Sequence, residues 1–273
     1  SDILIKPTSP FSDLSFNQYI ISHFDSNNID SLNNITLTNG DMINKWHNRI
    51  NVSQDKNNNA LSYYNTQPIY NNNMVKFNQN ALLTNIPINN EYLVFYIVFR
   101  QTQMTTTPQW LMSNNNKDSF NRSIIIMGND LCIKTTNSSP NAGCERILDV
   151  IEPNLTYVLC VQFYPYTETS NFFLNNRLIK TVNAPDISTD VQDKVVIGAY
   201  HNGTEFKYNQ MKSGFQGYIY ELIAINNKID QTSRYHITNY LLSKWNVSMP
   251  CANDGKCSEK PKYHYGDIPY GCR

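Results

Sequence analysis

Amides, hydroxyls and aromatic rings carry more of this chain's polar chemistry than ions do. Asparagine fills 40 of the 273 positions and tyrosine 18, while 22 basic and 22 acidic side chains cancel. Such groups suit sugars, whose apolar ring faces pack on aromatics and whose hydroxyls meet amides and carboxylates. On that ground His47, Asn48, Trp110, Tyr164, Tyr166, Tyr200, His201 and Asn202 are the candidate carbohydrate-binding residues, being polar or aromatic and near the ends of expected strands. Trp46 and Trp245 are expected as core anchors. Asp186, Asp190 and Asp193 stand close enough to offer oxygen ligands to a cation without forming an EF-hand loop, and an ordinary acidic loop accounts for them equally well.

Covalent chemistry centres on Cys132, Cys144, Cys160, Cys251, Cys257 and Cys272. Their even count and their crowding near the carboxy terminus favour disulfides over reduced thiols, and hence a secreted or virion setting. Cys132 with Cys144 is the local pairing. Three tail cysteines leave one over, for which Cys160 is the preferred internal partner. Paired C-x-x-C knuckles are missing, so zinc is not expected. Seven N-x-[ST] acceptors stand at Asn34, Asn51, Asn121, Asn137, Asn154, Asn202 and Asn246. They support a secretory reading weakly, because an asparagine-rich chain generates such triplets by chance.

Catalytic signatures are absent. No G-x-S-x-G elbow, G-x-x-x-x-G-K-[ST] loop or H-E-x-x-H helix occurs, and His23, His47, His201, His236 and His264 are scattered. Glu221 stands alone between Tyr220 and Leu222 and is expected to be structural, hydrogen-bonded at a strand edge or sheet rim. The zero net charge argues against a nucleic-acid partner. No apolar run reaches the length of about 18 residues that a membrane-spanning helix needs.

Any such site would have to be positioned by strands. Tyr92 to Phe99 is almost continuously apolar and rich in β-branched and aromatic residues, as in a strand buried on both faces. Further strands are expected over Ser123 to Met127, Leu131 to Lys134, Thr156 to Phe163, Phe172 to Leu174, Leu178 to Val182 and Val195 to Ala199. Asn175-Asn176 reads as a hairpin turn, since asparagine tolerates positive φ. Gly214 to Ile225 alternates Tyr218, Tyr220, Leu222 and Ala224 against Ile219, Glu221, Ile223 and Ile225, suggesting a last buried strand. Asp230 to Trp245 repeats Ile237, Tyr240, Leu241 and Trp245 at helical spacing. Asparagine's abundance fits loops between these strands, and codon bias explains it equally well.

Ordered cues then resemble a known family. Phe24-Asp25, Ile35-Thr36-Leu37, Gly40-Asp41, Asn44-Lys45-Trp46, Pro68 and Val75-Lys76-Phe77 follow one another, with His47-Asn48 replacing the acidic residue expected after the tryptophan. Val196-Ile197-Gly198, the run Phe215 to Leu222, Ile225-Asn226 and Tyr240 to Trp245 complete the pattern. Together they resemble the concanavalin A-like lectin/glucanase superfamily, specifically its laminin G-like jelly-roll members.

The resemblance implies an all-β antiparallel sandwich over residues 20–246, with a short C-terminal helix. Residues 1–19 are then an arm or edge strand, and 247–273 a cysteine-rich tail. It permits Ca2+ without locating it or requiring any cofactor. The acidic cluster of related glucanases is missing. The expectation is therefore an extracellular, cell-surface or virion-surface recognition domain that binds carbohydrate or glycoprotein without catalysis. The alternatives are a structural module contacting protein or its own copies, and a polysaccharide hydrolase.

Overall fold

The computed structural model describes residues 18–29, 36–50, 59–62, 67–88, 91–114, 122–135, 144–165, 167–183, 194–200 and 214–247. In chain order the strands begin with β1 (Ile20–Asp25), β2 (Lys45–Trp46), β3 (Ala60–Ser62), β4 (Ile69–Asn71), β5 (Met74–Asn78) and β6 (Leu82–Pro87). Next come β7 (Leu93–Gln101), β8 (Gln109–Asn114), β9 (Ile124–Met127), β10 (Asp130–Lys134) and β11 (Cys144–Ile147). The series ends with β12 (Thr156–Phe163), β13 (Thr169–Leu174), β14 (Arg177–Asn183), β15 (Lys194–Ile197) and β16 (Gln216–Ile225), followed by helix α1 (Gln231–Lys244). The fold is thus an all-β two-sheet sandwich with one C-terminal helix.

The first sheet runs β14-β13-β12-β7-β16-β5-β4, with β1 also paired to β16. The second runs β11-β10-β9-β8-β15-β6-β3-β2. Every strand pairing is antiparallel. At the centre of the first sheet, β7 shows why its sequence lacks alternation. Leu93, Phe95, Ile97 and Phe99 enter the core between the sheets, whereas Val94, Tyr96 and Val98 join a second core on the outer face. A strand apolar on both sides needs a cover on each. Helix α1 supplies the outer one through Ile237, Leu241 and Leu242.

Strand β16 departs from simple alternation. Its register against β7 shifts between Ile219 and Glu221, a β-bulge that turns Tyr220 and Glu221 to the same face. Ile219, Leu222 and Ala224 consequently enter the inter-sheet core, while Tyr220, Ile223 and Ile225 pack under α1. The expected pairing of Tyr220 with Leu222 and Ala224 on one face is corrected by this extra residue. Glu221 also lies away from any rim: it is fully buried, between β7 and β1.

Asparagine does serve the turns. Asn72-Asn73 and Asn175-Asn176 join β4 to β5 and β13 to β14 with φ of 50°, 59°, 46° and 70°. Both pairs occupy the left-handed region demanded by two-residue hairpins. Gly217 is required for a different reason, since a Cβ there would meet the Arg100 carbonyl oxygen at 2.2 Å.

Cys132 on β10 and Cys144 on β11 are bonded, with Cα atoms 5.5 Å apart, and this is the one disulfide among the described residues. Cys251, Cys257 and Cys272 of the expected disulfide-rich tail lie outside the described residues. Cys160 is a free thiol at 1 % exposure, beneath α1 in the second core. Burial pushes its pKa up to about 12, and its unbonded state corrects the expected link to the tail. Among the described residues no helix is long and apolar enough to cross a membrane.

Candidate functional site

Both polar constellations of interest lie on the outer face of the first sheet, one beneath each end of α1. At the carboxy-terminal end, β1 contributes His23 and Asp25, and the β16 bulge contributes Glu221. Ligand atoms of these three buried side chains lie within 4.8 Å of one another, close enough to hold a divalent cation together. Lys244 bridges its two carboxylates. Its Nζ donates to Asp25 Oδ2 at 2.6 Å and to Glu221 Oε2 at 2.7 Å.

The remaining lone pairs are also engaged. Asp25 accepts from Arg49 Nη1 at 2.7 Å and from the Asn27 amide at 3.0 Å. Glu221 accepts from Trp245 Nε1 and from His23 Nε2, each at 2.6 Å. Burial alone would lower the Lys244 pKa, but the charges of Glu221 and Asp25 outweigh it and hold the ammonium above its ordinary value. Calcium seeks about six to eight oxygen ligands. Here every carboxylate oxygen already has a donor and an ammonium bridges the two carboxylates, so the residues do not fit that ion. The cluster locks β1, β16 and α1 together.

The second constellation is a groove of about 360 Å³ at the amino-terminal end of α1. Strand alternation builds its floor. On β12, Tyr157, Leu159, Val161 and Phe163 face the inter-sheet core, leaving Val158 and Cys160 on the outer face. Gln162 continues that outer row past the cover of α1. Asn171 and Phe173 occupy the matching row of β13, and Tyr164 forms a wall. Opposite them stand Lys228 and the first helical turn with Asp230, Gln231 and Arg234.

The groove's charges are largely engaged. Glu168 pairs with Lys228 and accepts from the Tyr92 hydroxyl at 2.9 Å, and these two bonds hold its pKa below the usual glutamate value. Asp230 caps α1 by accepting from Ser233 N at 2.7 Å and Ser233 Oγ at 3.0 Å. The backbone bond leads in depressing its pKa. Tyr164 is 4 % exposed; its hydroxyl accepts from the Ile229 amide at 3.2 Å, and burial raises its pKa to about 12. Gln162 is also 4 % exposed, yet its side-chain amide has no protein partner among the described residues and faces the groove. The arrangement therefore offers an unused amide, a second amide in Asn171, and aromatic walls in a concave site.

Of the candidate carbohydrate-binding residues, Tyr164 is the described one that lines the groove. His47 is buried, and its backbone amide donates to Ile29 O at 3.0 Å. Asn48 is half-buried and accepts from the amides of His23 and Ile50, tying its loop to β1. Trp110 is 5 % exposed on the second sheet, its ring centroid 4.8 Å from that of half-buried Tyr200. The contacts at those positions are ones of packing and loop attachment. Tyr166, His201, Asn202, Asp186, Asp190 and Asp193 lie outside the described residues. Of the glycan acceptors, Asn154 and Asn246 are exposed with φ of 66° and 49°, and Asn34, Asn51, Asn121, Asn137 and Asn202 lie outside. Gln162 was findable as the single amide in the strand Thr156 to Phe163; Arg234 had no local signal.

No protein-family model matches the chain, and no curated protein matches it. Solved structures do share its fold. One is botulinum neurotoxin type C, which depends on interaction with two ganglioside molecules to enter cells: 12 % identity, TM-score 0.54, covering 84 % of this chain and 53 % of that one. Another is the binding domain of botulinum neurotoxin serotype D/C, at 10 % identity and TM-score 0.52, over 83 % of this chain and 53 % of that one. A third is Trypanosoma rangeli sialidase in complex with sialic acid, at 9 % identity and TM-score 0.57, over 85 % of this chain and 34 % of that one. This chain spans about half the length of the neurotoxin structures and a third of the sialidase. At such identities the likeness is one of fold.

Proposed function

We propose that this chain is a carbohydrate-recognition domain of the concanavalin A-like, laminin G-like kind, acting outside the cell on a cell or virion surface, and that it binds without catalysis. The observation that carries this reading is the groove between β12, β13 and α1. It is concave, polar and aromatic together, and Gln162 brings to it an amide with no partner among the described residues. A volume of about 360 Å³ lies at the small end of the range for ligand sites. It suits a terminal sugar better than an extended polysaccharide. The ganglioside dependence of one fold neighbour and the sialic acid bound by another are in keeping with glycan recognition on this architecture.

Turnover is disfavoured by the state of the carboxylates. A glycosidic acid catalyst needs a raised pKa and an acidic partner about 5 to 9.5 Å away. Glu168 and Asp230 instead have depressed values and are engaged by Lys228 and Ser233. A mammalian glycan array probed with the full chain and with Gln162→Ala tests the proposal. Selective binding, weakened at least fivefold by the substitution while the thermal transition is unchanged, is the expected result. Failure to bind across the array, or release of free sugar from a bound glycan, overturns it.

A further inference from the structure

Arg234 is the group in this groove that the fold leaves electrically incomplete. It is 5 % exposed, yet the one hydrogen bond of its side chain among the described residues goes to a neutral acceptor, from Nη1 to Asn176 Oδ1 at 2.7 Å. No carboxylate among the described residues pairs with it. The guanidinium lies 3.8 Å from the Phe173 ring centroid and 4.4 Å from that of Tyr235, so π faces partly offset its burial. A guanidinium carries five donors in a planar fork, and one hydrogen bond leaves most of them unused. Nearby acids do not supply the missing charge, because Glu168 is bound to Lys228 and Asp230 to Ser233.

We infer that the groove selects a sugar bearing a carboxylate, with the Arg234 fork receiving the carboxylate and the free amide of Gln162 meeting an adjacent hydroxyl or acyl group. A carboxylate matches the fork bidentately and replaces a neutral partner with a charge-assisted one. Lys228 and Arg234 balance Glu168 and Asp230, so the lining tolerates one added negative charge. A phosphate or sulfate cluster would add several, and would face both acids. The first turn of α1 adds the positive end of its dipole to the same site.

This inference rests on the glycan-binding reading and is tested so that the two can fail separately. N-acetylneuraminic acid, D-glucuronic acid and their methyl esters are titrated into the labelled full chain, with binding followed by NMR chemical shifts. The acid of at least one pair is expected to bind in the groove about tenfold more tightly than its neutral ester. Arg234→Lys, which keeps the charge but removes the fork, is expected to shrink that ratio toward one, and Gln162→Ala to weaken acid and ester alike. Equal binding of acid and ester at groove resonances overturns the carboxylate inference while leaving glycan recognition standing. Absence of groove shifts with all four sugars, together with a blank glycan array, overturns both. The acid-to-ester ratio needs no variant, so an Arg234 substitution that unfolds the chain does not shield the inference.

Discussion

Lys244 shows how one side chain can decide what a cluster is for. Without it, His23, Asp25 and Glu221 would be a buried set of ligands; with it, they are an ion-paired joint between two strands and the helix. Its side chain is only 14 % exposed and bridges two carboxylates at 3 % and 0 %. Removing one partner of a buried pair strands the other charge, at a cost of about 3 to 5 kcal/mol. Lys244→Met is therefore expected to lower unfolding free energy by about that much in urea titrations, without altering sugar binding at the other end of α1. Glu221 was conspicuous in the sequence as a lone acid in an apolar strand. Its partners Lys244 and His23 were not, because they converge from positions 23 and 198 residues away.

Local chemistry made some elements more legible than others. Strand β12 and helix α1 fall where the sequence places them, since an apolar octet and a capped 3.6-residue stripe are local signals. Strand β8 was hidden because buried Gln109, Ser113 and Asn114 flank an apolar run of only three residues. Their polar atoms are accommodated by tertiary bonds such as Ser113 Oγ to Ala199 O at 2.7 Å. The Asn175-Asn176 turn was legible from backbone preference, but its side chains do more than tolerate positive φ. Asn175 Oδ1 accepts from the Val158 amide at 2.8 Å, while Asn176 Oδ1 holds Arg234. Asn175→Gly retains the backbone conformation and loses that acceptor, so a destabilisation of about 1 to 3 kcal/mol is expected from chemical denaturation. An effect near zero would mean that turn geometry alone matters there.

Across the whole molecule, two cores sharing one sheet make the sandwich and its helix interdependent, and charge ties them together at both ends of α1. Stability should therefore follow pH on two sides. Asp130, Glu168 and Asp230 have depressed pKa values, so what they contribute is present above about pH 4 and lost as pH falls through their lower folded values. Lys244 has a raised value, so its contribution holds up to about pH 10 and is lost as pH climbs through the folded value above it. Thermal unfolding measured across pH should show losses at those two limits and none between them; a decline beginning near neutrality would contradict these assignments. The sandwich was readable from the order of short strands, whereas the groove depended on where α1 ends above β12 and β13, which no local pattern specifies. Its occupancy is the most direct test of function. Chemical-shift mapping of the isotopically labelled chain with a glycan selected from the array should move the side-chain amides of Gln162, Asn171 and Gln231 together and leave the glycan intact. Shifts confined to another face, or consumption of the glycan, would contradict the account.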